Sequence, residues 1–321
     1  MDDFIGESVR VFVDYVQSID GKLEKRVIRV GDGSIIQLFN KTTPPRKDCD
    51  VVCPHFLELK WANGCYFSCA WCYLQGTFRF LERGTKPFIK DWKKIESHLR
   101  ALFNYNSRKE LLNAGELSDS LIGEHLNPPA SIRLAKMFQE QNRYELLLVT
   151  KSDQVDNLLK IEPKNVIVSF SINAFSVAER WETAPHPMRR IEAGKRLYDH
   201  GYRVRVRIDP IVPVPEWKKH YEGLIEKVFN SFEPKRITLG TLRGLSTTIR
   251  NAKDKTWTEF LEERSNWGLK SKFETRLEIY KYLIDLLNEI GFKEIGLCKE
   301  TLKIWKDLGL DYRKIKCNCI L

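Results

Sequence analysis

The sequence predicts an α/β protein: an open, partial (β/α)6 barrel with a β-rich segment before it and a helical extension after it. Three observations support this. Between residues 56 and 245, six short runs rich in β-branched, leucine and aromatic residues alternate with longer helix-compatible stretches, the pattern of βα units around a parallel sheet. Two helices carry expected punctuation, Pro129 in a first turn and Gly201 after a last one. The length, 321 residues, suits one large domain with appendages.

The elements follow in order. Residues 1–52 read as the β-rich segment, with strand candidates at 9–15, 25–30 and 34–39 separated by Gly-Lys and Gly-Asp-Gly turns. Thr43-Pro-Pro-Arg-Lys reads as a linker. The barrel occupies 53–245. Its first strand, 56–61, runs into a cysteine-rich loop, and the other five are expected at 111–114, 145–150, 165–171, 202–208 and 236–242. Helices are expected at 91–103, 129–141, 188–200 and 216–229. Residues 246–321 read as mostly helical, at 258–263, 272–290 and 299–308, ending in a Cys-x-Cys tail.

Composition narrows the class. Hydrophobic residues make up 42% and charged residues 30%, which suits a soluble globular protein. No apolar run reaches the 18 or so residues of a membrane span, and Met-Asp-Asp-Phe-Ile-Gly-Glu at the amino terminus lacks a signal-peptide layout. Eight cysteines without such a signal point to metal or redox chemistry in the cytoplasm rather than to disulfides. The net charge of +10 favours an anionic partner, nucleic acid included. Against that, the 53 basic residues are interspersed with 43 acidic ones, as on an ordinary Lys/Glu-rich surface.

The cysteines carry the chemistry. Cys65, Cys69 and Cys72 lie in Asn-Gly-Cys-Tyr-Phe-Ser-Cys-Ala-Trp-Cys-Tyr, a C-x3-C-x2-C spacing. Three thiolates on one loop can hold three irons of a [4Fe–4S] cluster and leave the fourth open. Ferredoxin-type sites bring four cysteines, and structural zinc sites close with four ligands. No fourth cysteine or histidine follows nearby; the next cysteine is Cys298. A zinc knuckle or three buried thiols are the alternatives. With Trp71 before the third cysteine, the loop resembles that of the radical S-adenosylmethionine (SAM) superfamily. This resemblance implies a TIM-like partial barrel, SAM chelated at the open iron, a reductant such as flavodoxin or ferredoxin, and reductive cleavage of SAM to a 5′-deoxyadenosyl radical.

Further residues narrow the resemblance. Cys72-Tyr-Leu-Gln, Ser118-Asp119, Val149-Thr-Lys151 and Phe170-Ser-Ile-Asn173 resemble segments of the spore photoproduct lyase family. Each lies where a strand is expected to end, so all four would face one pocket. The resemblance implies that Ser118, Lys151 and Ser171 contact SAM, with Lys151 offering charge to its carboxylate, and that Trp71 and Tyr73 line its adenosyl side. One position departs from the family. Two residues before the Ser-Asp pair, the lyases carry a cysteine that returns a hydrogen atom to the repaired thymine; here Glu116 stands there, and a carboxylic O–H bond is too strong for that task. Ala114-Gly115-Glu116 resembles instead the Gly-Gly-Glu motif of other radical SAM enzymes, which implies Gly115 and Glu116 as contacts of the SAM ammonium. A general base or a substrate contact is the competing role for Glu116.

Arg203, Arg205 and Arg207 alternate along one strand and share a face. Facing inward they would form an anion site, with Arg207 best placed to reach the pocket; facing outward they would cover helix surface. Cys298, Cys317 and Cys319 form a candidate second site for an auxiliary iron–sulfur cluster or zinc, with Cys49, Cys53 or a substrate atom completing four ligands. A replacement hydrogen donor among these thiols, or simple inert burial, are the alternatives. The expected activity is therefore radical SAM chemistry of a lyase or rearrangement type on an anionic substrate, nucleic acid or nucleotide-derived, with Glu116, Tyr73 and Arg207 nearest the reaction. A pyrimidine-dimer repair lyase with a relocated hydrogen donor, and a non-catalytic metal protein that binds nucleic acid, are the rival readings.

Overall fold

Ten strands form one sheet whose spatial order is the chain order. They are β1 (Val11–Gln17), β2 (Leu23–Val30), β3 (Ile36–Phe39), β4 (Phe56–Leu59), β5 (Glu110–Asn113), β6 (Tyr144–Thr150), β7 (Val166–Ile172), β8 (Arg203–Ile211), β9 (Ile237–Thr241) and β10 (Ile295–Leu297). The computed structural model describes residues 9–42, 44–106 and 108–321. The amino-terminal stretch read for a signal peptide, and Thr43 of the expected linker, lie outside the described residues. Strands β1 to β4 pair antiparallel, and β4 to β10 pair parallel.

Helices link the parallel strands and complete the open partial barrel: α1 (Leu74–Thr77) and α2 (Trp92–Asn104) before β5, α3 (Ala130–Gln139) before β6, α4 (Phe175–Trp181) and α5 (Pro187–Asp199) before β8, α6 (Trp217–Ser231) before β9, and α7 (Ser246–Asn251) and α8 (Phe273–Glu289) before β10. A last helix, α9 (Leu302–Asp307), follows β10. Local chemistry sets the boundaries. The Asp91 carboxylate caps α2 by accepting from the Lys93 N–H, and Pro187 opens α5, where its missing N–H costs nothing.

The parallel strands are buried on both faces, so they read as apolar runs. Leu146, Leu148, Val166, Val168, Phe170, Val204 and Val206 belong to the main core, with helix residues such as Leu134, Phe138, Ile191 and Leu224. The opposite parity points into the barrel, where Leu111, Leu147 and Ile167 make a small separate cluster.

The expected helical extension differs in content. It supplies the seventh parallel strand, β10, and a hairpin of Glu263–Ser265 with Gly268–Lys270. β10 has only three residues, too short for its periodicity to show. The Cys-x-Cys tail, which looks exposed at a chain end, is buried within the barrel. Asn318 donates from Nδ2 to Ser169 Oγ and to the Val206 carbonyl, both at 2.9 Å, and exchanges two bonds with Thr238 Oγ1. Arg205 Nη1 donates to the carbonyls of Asn318 (2.8 Å) and Ile320 (2.7 Å), and Arg236 Nη1 to those of Cys317 and Ile320. Gly296 lets the tail pass: a Cβ there would lie 2.5 Å from the Lys316 carbonyl oxygen.

Candidate active site

The carboxyl ends of the parallel strands open on one cavity of about 440 Å³, the position where sites gather in barrels of βα units. Cys65, Cys69 and Cys72, on the loop after β4, all line it. The loop is held by its backbone. Gly64 N–H donates to Leu117 O and Cys65 N–H to Thr85 O, both at 2.8 Å. Gly64 has φ +83, and a Cβ would lie 2.5 Å from Lys86 O, so only glycine fits. The far side is pinned to the end of α4 through Ala70 N–H to Trp181 O (2.8 Å) and Ser68 N–H to Thr183 Oγ1 (2.6 Å). Burial pushes all three thiols up, Cys69 to about 12.

The donor set fits a cluster. Among the described residues, no three His, Cys, Asp or Glu side chains are grouped as a single metal ion needs. Thiolates around one zinc stand about 3.8 Å apart, from a Zn–S bond near 2.3 Å; those around a [4Fe–4S] cube bind separate irons and stand farther apart. The same cavity holds a buried orphan: Ser118 Oγ lines it without a hydrogen-bond partner. Such a group costs free energy unless a ligand or water satisfies it.

Other predicted contacts surround these. Trp71 packs against Trp181 with ring centroids 5.8 Å apart. The Tyr73 hydroxyl donates to the backbone carbonyl of Glu116. Ser171 lines the wall. Lys151 is not a free cation: its Nζ lies 2.5 Å from Glu182 Oε1, and Arg190 Nη1 stands 2.7 Å from Glu182 Oε2 while donating to the Ser171 carbonyl. Burial alone would raise the Glu182 carboxyl; Lys151 and Arg190 outweigh it and hold it below the usual range. Asp119 orders the strand ends by accepting from Thr150 Oγ1 (2.7 Å), Lys151 N (2.7 Å) and Leu121 N (2.9 Å). Gly115 is needed for packing, since a Cβ would lie 2.5 Å from that of Val149.

The three arginines of β8 take the inward face, and each has a partner. Arg203 pairs with Glu145 at 2.9 Å, and Arg205 holds the tail. Only Arg207 lines the cavity, with Nη2 3.0 Å from Cys319 Sγ and Nη1 3.9 Å from Asp209. Asp209 in turn takes a two-pronged pair from Arg243 at 2.8 and 2.9 Å. Glu116 is steadied by Asn113, whose Nδ2 donates to Glu116 Oε1 at 2.9 Å and reaches Cys319 Sγ at 3.6 Å.

Several residues escaped the sequence reading: Glu58, Arg243 and Lys299, which line the cavity, and Glu182, which stands behind Lys151. Burial raises the Glu58 carboxyl, and the charge of Glu116 adds to the shift. The available signal was a lone glutamate inside the buried run Phe-Leu-Glu-Leu, an expensive placement without a purpose.

Comparison with known proteins agrees with this geometry. The family profile described as spore photoproduct lyase matches residues 54–243. The spore photoproduct lyase of Bacillus subtilis (strain 168) is 30% identical over 176 residues, 53% of this chain and 50% of that protein. That of Clostridium acetobutylicum is 24% identical over 205 residues, 62% of this chain and 58% of that one. The chain thus spans about half the length of the curated relatives it matches. Among solved structures, spore photoproduct lyase complexed with dinucleoside spore photoproduct superposes with a TM-score of 0.65 at 18% identity, covering 75% of each chain. A mutant of that lyase with bound AdoMet and dinucleoside spore photoproduct gives 0.63 at 18% identity, covering 79% of this chain and 80% of that one. Among the described residues, no helix is long and apolar enough to cross a membrane.

Proposed function

The chain belongs to the spore photoproduct lyase family of radical SAM enzymes, and from that premise we propose that it holds a [4Fe–4S] cluster on Cys65, Cys69 and Cys72 and acts on an anionic, nucleic-acid or nucleotide-derived substrate. The observation that carries this reading is the shared cavity: three thiols from one loop and the unpartnered Ser118 hydroxyl open onto the same space at the strand ends. A cluster held by Cys65, Cys69 and Cys72 would supply reductive cleavage of SAM, the chemistry that starts hydrogen abstraction from substrate.

The chain's own residues supply placement. Cys65, Cys69 and Cys72 would hold the cluster. Ser118 and Ser171 offer hydroxyls to it. Lys151 and Arg190 bring two positive charges against the one of Glu182, and the surplus suits the SAM carboxylate. Glu116 suits the ammonium, with Gly115 beside it, while Trp71 and Tyr73 wall the adenosyl side. Arg207 offers charge to the substrate. A cytoplasmic location and a flavodoxin- or ferredoxin-type electron donor accompany this assignment.

The test is anaerobic: reconstitution with iron and sulfide, addition of SAM and dithionite, and detection of 5′-deoxyadenosine by mass spectrometry. Product is expected from the native chain and none from Cys69→Ala. No product from a cluster-loaded protein whose reduced EPR signal ignores SAM would overturn the proposal.

One observation favours a second reading, a pyrimidine-dimer repair lyase with a relocated hydrogen donor. Asn113 touches both Glu116 and Cys319, which sets the Cys319 sulfur beside the position where the lyases carry their donor cysteine. Solvent deuterium appearing in thymine released from a synthetic dimer, and lost in Cys319→Ser, is the expected signature. No turnover of the dimer sinks this reading and leaves the first intact.

A further inference from the structure

Seven of the eight cysteines line the one cavity; the eighth, Cys49, is exposed. They divide into two sets. Cys65, Cys69 and Cys72 sit on the loop after β4. Cys53 precedes β4, Cys298 follows β10, and Cys317 and Cys319 come from the tail, three remote segments brought to one place. The second set is tied together by geometry: Arg207 reaches the Cys319 sulfur and Arg243 the Cys298 sulfur, and both arginines stand against Asp209. Glu116 links the two sets: its carbonyl accepts from the Tyr73 hydroxyl of the cluster loop, and Asn113 Nδ2 reaches both its carboxylate and the Cys319 sulfur.

We propose that Cys53, Cys298, Cys317 and Cys319 ligate a second [4Fe–4S] cluster, fully coordinated by protein. The number of donors is what a closed cluster takes. All four thiols are buried, Cys53, Cys317 and Cys319 at the margin of the main core, and all four line the cavity. Arg207 is the clearest sign. Its guanidinium is largely buried, its Nε has no partner, and the atom 3.0 Å from its Nη2 is the Cys319 sulfur. A neutral thiol is a weak acceptor, so a metal-bound thiolate is the partner that satisfies this cation. Arg243 Nη2 likewise lies 3.5 Å from Cys298 Sγ.

The charges balance. Four thiolates around a [4Fe–4S]2+ core leave a net charge of roughly −2. Arg243 is already committed to Asp209. Arg207, whose ion pair with Asp209 is long at 3.9 Å and shared with Arg243, and Lys299 supply two positive charges. Lys299 sits at φ +48 with its ammonium 4.3 Å from the Trp267 ring centroid and 4.7 Å from that of Phe39. It lines the cavity with Cys53 and Cys298. The tail is anchored without any metal, by Arg205, Arg236 and Asn318, so its two thiols are presented rather than frayed. Assembly takes two ferrous and two ferric ions and four sulfide ions from solution, so no net electron transfer is needed, and forms one Fe–S(Cys) bond per thiol as the four thiols give up their protons. As a ligand, Cys319 has no hydrogen atom to give, so this assignment and the relocated-donor reading exclude each other.

The experiment is an iron and acid-labile sulfide count on the anaerobically reconstituted full chain, with Mössbauer spectra. The native chain is expected to hold about eight of each. Cys65→Ala/Cys69→Ala/Cys72→Ala keeps about four irons in a cluster whose EPR signal ignores SAM. Cys298→Ser/Cys317→Ser/Cys319→Ser keeps about four in a cluster that responds to SAM. A native chain with about four irons overturns the inference while leaving the first cluster standing, and one zinc in place of the second four irons overturns it equally. The native count decides even where a triple variant fails to fold.

Discussion

Replacing Glu182 with Gln tests whether the Lys151–Glu182–Arg190 group is an electrostatic keystone or a passive contact. The Glu182 side chain is 0% exposed, Arg190 1% and Lys151 17%. At an effective dielectric near 20, two unit charges about 4 Å apart attract by about 4 kcal/mol, and desolvation of the carboxylate offsets much of the gain from its two partners. The change to Gln keeps the shape, keeps that desolvation cost off the ledger, and leaves two buried cations facing each other. Breaking a buried pair from one side costs about 3–5 kcal/mol, and that loss is expected for Glu182→Gln. Lys151→Met should cost less, about 1.5–3 kcal/mol, because Glu182 keeps Arg190 and only one charged hydrogen bond is lost. The sign with pH follows from the depressed carboxyl. Its contribution is complete above the unfolded value near 4.5 and disappears as pH falls through the lower folded value. Urea denaturation at pH 7 and at a series of acid pH values measures all three. The gap between native protein and Glu182→Gln should narrow below pH 4.5. A loss under about 1 kcal/mol for Glu182→Gln, or a larger loss for Lys151→Met, would refute the reasoning.

Two further substitutions separate stability from binding and from pH. Ser118→Ala removes a buried hydroxyl that has no partner, so the free protein should gain about 1 kcal/mol in urea melts while SAM binding by calorimetry weakens; unchanged SAM affinity would take Ser118 out of the site. Lys270 is lowered to about 8 by burial, against the pull of Glu300. The unfolded chain therefore binds the extra proton between pH 8 and 10.5, so this lysine's contribution to stability rises with pH across that window. In Lys270→Met the stability profile should lose that rise relative to the native protein, and matching slopes in the two would show that Lys270 titrates normally.

Much of the fold was legible because its signals are local. Six apolar runs, the proline and glycine at helix ends, and the C-x3-C-x2-C loop each announce themselves within a dozen residues. The parity of β8 was legible too: three arginines at alternate positions share a face. Which way that face looks was not, because an inward arginine needs a partner and the partners are remote. Glu145 comes from β6, and the carbonyls of Asn318 and Ile320 come from the far end of the chain. The same holds for Lys151, whose carboxylate lies 31 residues on, and for Cys53 and Cys298, which line one cavity only once β10 joins the sheet. The short strand Ile-Gly-Leu carries no periodicity; what defines it is the room at Gly296 for the backbone of the tail. The seating of the tail was not legible for a related reason. Terminal segments are usually frayed, and the polar layer of Ser169, Thr238 and Arg205 that holds Asn318 is assembled from three strands no local pattern connects. A barrel interior that spends an arginine and two hydroxyls on seating its own terminus is built to keep Cys317 and Cys319 at the cavity, which gives those two thiols a claim to function that burial alone does not.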